Sequence, residues 1–165
     1  MEVKKVGIES IPVIQLLAQI TWVVAYKEIL SEAQMSYMLG QIYSTKSLQN
    51  QIEEQGHQFI LVTAEEKAAG FASYGVKKEE DQTIYKLHKI YIDPNQQGKG
   101  IGKILLDYIL QDIKPSGAKG LELNVNRHNK ALGFYQKLGF EIIDEQDIPI
   151  GNGYFMNDYI MKLNW

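Results

Sequence analysis

Apolar residues recur at helical spacing along the first third of the chain. Residues 11–30 follow Ser10, a residue type favoured just before a helix begins, and they carry apolar side chains at every third or fourth position. Residues 32–43 and 45–55 continue the helical pattern, and each segment again follows a serine. The pattern predicts three successive helices, each capped by a serine side chain at its amino end.

The rest of the chain alternates between short strand patterns and two further helices. Strands are predicted at residues 2–8, 57–65, 68–78, 82–93 and 119–126 and as two segments within 140–165, with helices at 102–114 and 130–139. Strands that alternate with crossover helices and hairpins indicate a mixed α/β (α+β) fold. No repeat or linker divides the chain, so we predict a single domain, residues 1–165.

The strand predicted at residues 82–93 changes the face on which its apolar residues lie. Tyr85 and Leu87 are two residues apart, but the next apolar position in the series is Ile90, an odd step away. One extra residue near His88 would be a β-bulge, and bulges occur often beside active sites. The alternative is an ordinary amphipathic strand whose Tyr91 is also buried, with no bulge.

Charge and composition exclude several classes of function. The 165 residues have a net charge of −3, which gives no basic field for nucleic acid. The chain has no cysteine, which excludes a cysteine nucleophile and thiolate metal sites, and its histidines lack metal-ligand spacing. No apolar run approaches the ~20 residues of a membrane span, and no secretory pattern begins the chain. We expect a cytoplasmic protein with no metal site and no nucleic-acid or membrane partner.

The segment IDPNQQGKGIGK, residues 92–103, places glycines at 98, 100 and 102 directly before a predicted helix. Alternating glycines let the backbone approach a ligand closely, and the N–H groups that begin a helix favour an anion such as phosphate. Lys99 and Lys103 add positive charge. The segment therefore predicts a phosphate or pyrophosphate site, although a flexible turn before a helix would have a similar composition.

Three phosphate-binding patterns were compared with this loop. The nucleotide P-loop requires Ser or Thr after its Gly-Lys pair, but Ile104 follows Lys103. The dinucleotide pattern Gly-x-Gly-x-x-Gly does not match the spacing of these glycines. The pattern Gln-x-x-Gly-x-Gly is satisfied by Gln97, Gly100 and Gly102.

With VNRHNKALGFYQKLGF at residues 125–140, this loop resembles the GNAT superfamily of acetyl-CoA-dependent N-acetyltransferases. The resemblance covers residues 83–140 well and the amino-terminal third only in layout. It implies a mixed, mostly antiparallel central sheet that is splayed between two strands and flanked by helices. A weaker resemblance, through TWxxxY at 21–26 and HKIYIDP at 88–94, is to members that act on polyamines and other small amines.

The resemblance implies a site for acetyl-CoA. Backbone N–H groups of the loop would hold the pyrophosphate, and the strand edge near Ile90 and Ile92 would pair with the pantetheine arm and stabilise the oxyanion. Asn129 matches the family asparagine that contacts the cofactor, with Asn126 as the alternative. Lys137 either reaches a cofactor phosphate or is an ordinary exposed lysine. The implied cofactor residues are Ile90, Ile92, Gln97, Gly98, Lys99, Gly100, Ile101, Gly102, Lys103, Asn129 and Lys137.

The resemblance also implies the catalytic residues. Tyr135 matches the tyrosine that protonates the departing thiolate, and a phenol near pKa ~10 is close enough to a thiol near ~8.5 to share a proton. The acceptor ammonium must first lose a proton. His88 is the first candidate for that step, with Glu28, Glu32 or water as alternatives.

The acceptor site is expected to form from the first two helices and the final hairpin. Trp22, Tyr26, Tyr154 and Asp158 would supply aromatic walls and one carboxylate for a cationic amine. Trp22 and Tyr26 would equally suit a helix-packing face.

The leading function is acetyl transfer to a primary amine of a small molecule, polyamine-like in the finer resemblance, by direct attack in a ternary complex. A protein amino terminus or lysine is the alternative acceptor, and an acyl-CoA-binding sensor without turnover is the alternative class of protein. The sequence does not fix the oligomeric state, and a homodimer is compatible with it.

Overall fold

A single seven-stranded sheet runs through the computed structural model, which describes residues 1–165. The strands are β1 (Glu2–Val6), β2 (Gln58–Ala64), β3 (Lys67–Lys78), β4 (Asp81–Ile92), β5 (Gly120–Asn126), β6 (Glu141–Gly151) and β7 (Tyr154–Asn164). The helices are α1 (Ile11–Tyr26), α2 (Glu32–Tyr43), α3 (Thr45–Glu53), α4 (Ile101–Ile113) and α5 (Ala131–Lys137). The mixed α/β fold expected from the sequence is confirmed.

Serine side chains cap two of the three amino-terminal helices, as predicted. Ser31 accepts a hydrogen bond from the backbone N–H of Gln34, and Ser44 accepts one from that of Ser47, each at 3.1 Å. The cap predicted at Ser10 is wrong. Ser10 closes a 3₁₀ turn with φ −96° and ψ 3°, and its side chain makes no capping bond, because an N-cap requires a more extended backbone.

The strand order is β1-β2-β3-β4-β5-β7-β6, and every neighbouring pair is antiparallel except β4 and β5. These two strands run parallel and pair only from Ile84–Leu87 on β4 to Gly120–Leu123 on β5. Beyond Leu87 they separate, so β4 loses its partner on that side. The predicted splay of a mostly antiparallel sheet is confirmed.

Of the two alternatives left open for β4, the structure has the bulge. Ser73 of β3 pairs with Lys89 and Tyr74 pairs with Leu87, so His88 is the extra residue. After the bulge, Ile90 packs with the cluster beneath α4, whereas Tyr91 packs with the cluster beneath α1. The inserted residue thus keeps Leu87 and Ile90 on the same face of the sheet despite the odd step between them.

Two hydrophobic clusters lie on opposite faces of the sheet. One packs α4 and α5 against the sheet and includes Leu105 and Leu121; the other packs α1 to α3 and includes Ile14 and Phe59. By length and composition alone, α1 with its preceding turn (Ile8–Tyr26) would qualify as a membrane span. Its inner side is part of the second cluster, so the helix belongs to the core of this fold.

Candidate active site

The cleft that opens where β4 and β5 separate is the main cavity of the molecule, with a volume of about 1000 Å³. It is bordered by the carboxyl-terminal half of α1, the second half of β4, the glycine loop before α4, the end of β5 and the start of α5. Most of the residues predicted from the sequence to bind or react lie along this cleft. They are Tyr26, His88, Ile90, Ile92, Gln97, Gly98, Gly100, Ile101, Gly102, Lys103, Asn129 and Tyr135.

The three glycines of the loop meet two different requirements. Gly98 and Gly100 have φ angles of +82° and +75°, a region that residues with a side chain rarely adopt. Gly102 lies in the first turn of α4, where a Cβ atom would come within 3.0 Å of the Phe134 ring. The glycines therefore shape the turn and let α4 approach α5 closely.

The loop presents free hydrogen-bond donors. None of the backbone N–H groups from Gly98 to Lys103 donates to an acceptor within the protein, and α4, thirteen residues long, begins at Ile101. Unpaired donors and the positive end of the helix dipole together favour an anion. This backbone fits the pyrophosphate of acetyl-CoA. Lys103 lines the cleft and forms an exposed ion pair with Asp107. Lys99 lies outside the cleft and donates a hydrogen bond to Gln96.

The outer half of β4 offers a second backbone surface. Ile90 and Ile92 line the cleft, and no residue of β5 pairs with β4 beyond Leu87. An extended chain can add to such a free strand edge through main-chain hydrogen bonds. The edge is therefore suited to the amide-containing arm of coenzyme A.

Tyr135 on α5 is directed into the cleft from a largely apolar surrounding. Tyr135 is 7% exposed, and the centroid of its ring lies 5.3 Å from the ring centroid of Phe134 and 5.7 Å from that of Phe140. Burial raises the pKa of the Tyr135 phenol well above its usual value. The hydroxyl is therefore protonated at neutral pH, and the raised pKa makes it a weaker acid than an exposed tyrosine.

The two candidate asparagines are placed differently. The side-chain oxygen of Asn129 accepts a hydrogen bond from the N–H of Ala131 at 2.9 Å, and Asn129 lines the cleft. Asn126 accepts from the N–H of His128 at 3.0 Å, is 4% exposed and does not line the cleft. Asn129 is therefore the better placed of the two for contact with a cofactor.

His88, the predicted base, stacks on His57 with ring centroids 3.7 Å apart, and its Nε2 atom has no hydrogen-bond partner. Burial, followed by the charges of nearby groups that include Lys89, lowers the pKa of His88 to about 3; burial lowers that of His57 to about 4. Such an imidazole is a weak proton acceptor. Of the alternatives, Glu28 lines the cleft and Glu32 does not.

Polar side chains meet on the α1 side of the cleft. The hydroxyls of Tyr26 and Tyr91 lie 3.1 Å apart in a hydrogen bond. Asn124, which lines the cleft, donates from Nδ2 to Asp158 Oδ2 at 3.4 Å. Asp158 is 6% exposed, its Oδ1 atom has no protein partner, and burial raises the pKa of its carboxyl. The Asp158 carboxylate thus lies behind Asn124 and is not itself among the residues that line the cleft.

Three other predicted residues lie outside the cleft. Trp22 is 3% exposed and donates from Nε1 to the Tyr43 hydroxyl at 3.3 Å, which is the packing role left open by the sequence. The ring of Tyr154 packs against Tyr37, 5.5 Å away. Lys137 is exposed near the end of α5.

Sequence reasoning missed several residues of the cleft. Asn124 belongs to a series of polar residues at alternate positions of β5, so the face of the sheet on which it lies could be predicted. That it borders the cleft could not be predicted. Lys89 also borders the cleft; its Nζ donates to Gln51 at 2.6 Å, and burial lowers its pKa to about 8. Its location depends on the bulge, which turns Lys89 towards α3.

Comparison with known proteins places the chain in a family. Residues 26–161 match the family model described as an acetyltransferase (GNAT) domain. A spermidine N(1)-acetyltransferase from Thermoplasma acidophilum is 26% identical over 87% of this chain and 90% of its own. A probable spermine N(1)-acetyltransferase from Bacillus subtilis subsp. natto is 32% identical over 71% of this chain and 79% of its own.

Other relatives are matched over shorter stretches. The chain spans 38% of an uncharacterized N-acetyltransferase from Methanocaldococcus jannaschii and 54% of a peptidyl-lysine N-acetyltransferase from Salmonella typhimurium, each at 32% identity.

Among solved structures, the PaiA N-acetyltransferase from T. acidophilum in complex with coenzyme A has a TM-score of 0.83 at 25% identity, covering 99% of this chain and 98% of its own. The chain therefore belongs to the GNAT family of acetyltransferases, whose cofactor is acetyl-CoA.

Proposed function

We propose that the protein transfers the acetyl group of acetyl-CoA to a primary amine of a small, cationic, polyamine-like molecule, by direct attack in a ternary complex. The observation that carries this proposal is the convergence, in one cleft, of the donor loop at residues 98–103, the free edge of β4 and the protonated phenol of Tyr135. We place this activity in the cytoplasm, where acetyl-CoA is available.

The cofactor side would hold acetyl-CoA through backbone groups. The N–H groups of Gly98–Lys103 would bind the pyrophosphate, the edge at Ile90 and Ile92 would bind the pantetheine arm, and Asn129 would contact the cofactor beside α5. Acetyl-CoA supplies the acetyl group as a thioester. Tyr135, which lines the cleft, would donate its proton to the departing sulfur as the thiolate forms.

The acceptor side would select a cation. The Asp158 carboxylate, with one oxygen unpaired, would attract an ammonium group at the level of Asn124, and the Tyr26 hydroxyl would lie beside it. Similarity to the spermidine acetyltransferase from T. acidophilum over 87% of this chain supports the same class of acceptor. The polyamine would carry a further ammonium group besides the reacting amine.

The proton that the attacking amine must lose would not remain on His88. An alkyl ammonium has a pKa near ~10, so transfer to an imidazole whose pKa is about 3 is strongly uphill. The proton would instead pass to bulk solvent, either through water alone or with Glu28, which lines the cleft, as a relay. His88 would serve to hold the bulge that opens the cleft.

The test is the rate of thiol release from acetyl-CoA with spermidine, spermine, arylalkylamines, aminoglycosides, and peptides that present an α-amine or a lysine. We expect turnover with the polyamines and none with the peptides. Turnover confined to peptides would establish the protein-acceptor alternative, because the transferase chemistry would hold while the acceptor class failed. Coenzyme A binding without turnover on any amine would establish the sensor and contradict catalysis.

A further inference from the structure

The outward face of α1 is apolar along its length. Its exposed large side chains are Val13, Leu16, Ile20, Val23 and Val24, with exposed fractions of 37%, 60%, 40%, 53% and 57%. The helix contains no charged residue from Ile11 to Tyr26. These five side chains are called the α1 stripe below.

The α1 stripe contributes nothing to the packing of α1 on the sheet. The opposite side of the helix supplies Ile14, Leu17, Ala18 and Trp22 to the core, and none of these is more than 4% exposed. A helix that is apolar on both sides is normally covered on both sides, and contiguous exposed apolar surface marks sites of interaction. The α1 stripe thus has the composition of an interface.

We propose that the α1 stripe packs antiparallel against the α1 stripe of a second copy of this chain, forming a two-fold symmetric dimer. The stripe is nearly mirror-symmetric in sequence about Ala18. Leu16 and Ile20 are equally distant from Ala18, and so are Val13 and Val23. With a two-fold axis at the level of Ala18, Leu16 of one copy lies opposite Ile20 of the other. Val13 of one copy likewise lies opposite Val23 of the other.

The charges at the two ends of the stripe support this orientation. Glu9 and Lys27 are exposed and are also equally distant from Ala18, so an antiparallel pair brings Glu9 of each copy to Lys27 of the other. A parallel pair would bring like charges together. Exposed ion pairs contribute little affinity, so we infer that these pairs favour the antiparallel orientation over the parallel one without adding much to the strength of the dimer. The helix dipoles favour the same antiparallel orientation.

A membrane surface is a poorer occupant of the stripe. Helices that lie on anionic membranes carry lysine and arginine on their polar sides. Here the flanking charges include Glu9, Glu28 and Glu32 with the single Lys27, and the net charge of the chain is −3.

Val24 and Lys27 also line the cleft, so a second copy on the stripe would border the mouth of the cleft.

Sedimentation equilibrium of the full chain tests the dimer. We expect the wild type to have twice the 18.8 kDa mass of one chain, and Leu16→Glu to weaken self-association by roughly 100-fold, because it places a carboxylate in an apolar contact. Ile143→Glu introduces the same charge at a 52% exposed apolar site on β6 and should leave the dimer intact. Far-UV circular dichroism should show that both variants fold. A wild type that is monomeric at every concentration, with or without binding to lipid vesicles, or a dimeric Leu16→Glu variant, would overturn the proposal.

Single cysteines test the direction of pairing, because the native chain has none. Under oxidation, an equimolar mixture of Val13→Cys and Val23→Cys chains should form disulfide-linked dimers, since these positions face each other. Either variant alone should remain unlinked, because its two cysteines would be about 15 Å apart along the helices, well beyond disulfide reach. Linkage of each variant with itself, or no linkage in the mixture, would contradict the antiparallel pairing.

Discussion

The two walls of the cleft are built on different principles. The proposed cofactor wall comes from one nearly continuous segment, residues 90–103, and offers mainly backbone N–H groups and a strand edge. The proposed acceptor wall would use side chains on separate elements: Tyr26 on α1 and Asn124 on β5 line the cleft, and Asp158 on β7 lies behind Asn124. A site made of backbone groups keeps its hydrogen-bond donors through most substitutions, whereas a site made of side chains loses a functional group with each substitution. The first wall should therefore be sensitive to backbone geometry and the second to single functional groups.

The largest effect is expected from Gly100→Val, which attacks the backbone of the cofactor wall. Gly100 has a φ of +75°, which a β-branched residue adopts only with strain, so the loop would have to change course. We expect a loss of coenzyme A affinity of at least roughly 100-fold, measured by isothermal titration calorimetry. Activity should disappear with it.

Gly40→Ala is the matched control for that substitution. Gly40 lies in α2, has an ordinary helical backbone, and has open space where a Cβ would be. The variant should bind coenzyme A normally and gain about 0.5–1 kcal/mol of stability from the improved helix propensity. Normal affinity in a folded Gly100→Val variant would remove the pyrophosphate role from the loop.

Tyr135→Phe, on α5, separates cofactor binding from chemistry in the cleft. The phenyl ring keeps the packing against Phe134 and Phe140, but the proton donor is lost. We expect kcat to fall by roughly 10² to 10⁴ while coenzyme A affinity stays unchanged. Tyr108→Phe on α4, away from the cleft, should leave both quantities unchanged. An undiminished rate in Tyr135→Phe would exclude this residue from the mechanism.

Asp158→Asn is the corresponding change on the acceptor wall. Removing the carboxylate should raise KM for the amine by roughly 10- to 100-fold and leave coenzyme A affinity intact. Asp144→Asn, on an exposed part of β6, is the control and should have no effect on KM. An unchanged KM in Asp158→Asn would show that the ammonium binds elsewhere.

The pH dependence of amine binding sharpens the same point. Burial raises the pKa of the Asp158 carboxyl, so the ionised form needed for binding is lost at a higher pH than for an exposed aspartate. Amine affinity should fall as the pH drops through that raised pKa, and Asp158→Asn should abolish this limb of the profile. Above the raised pKa the buried charge costs the folded state stability, so at neutral pH the Asn variant should be at least as stable as the wild type, as urea unfolding would show.

The smallest effect concerns the bulge that separates the two walls. Burial lowers the pKa of His57 to about 4 and that of His88 to about 3, whereas both titrate near ~6.5 in the unfolded chain. The unfolded state therefore binds more protons below that value, and stability should decline as the pH falls from about 6.5 towards 4. Urea unfolding of His57→Gln should show a weaker decline, and His128→Asn, on an exposed turn, should match the wild type. An unaltered slope in His57→Gln would contradict the buried, neutral state of the pair.

The backbone features of the proposed cofactor wall could be predicted from the sequence because its residues are neighbours along the chain. The spacing of Gln97, Gly100 and Gly102 before a helix, and the odd step in β4, are local patterns that survive folding unchanged. The bulge follows from the odd step in β4, whereas the separation of β4 from β5 was implied by the family resemblance. A local pattern of this kind predicts a backbone conformation directly.

The acceptor wall was harder to predict because its members meet only through strand register and helix orientation. Asp158 reaches Asn124 because β7 pairs with β5, and His57 reaches His88 across the sheet from the turn after α3. In α1, apolar residues occupy both sides, so the pattern alone does not tell buried Trp22 from exposed Val23.

The most direct test of the account is a titration of the ¹⁵N-labelled protein with acetyl-CoA, followed through its backbone amide resonances. We expect the largest shifts on the N–H groups of Gly98–Lys103, with a second group at Ile90 and Ile92 on the free edge of β4. Unshifted amides in the loop during saturable binding elsewhere would contradict the proposal that this backbone holds the cofactor.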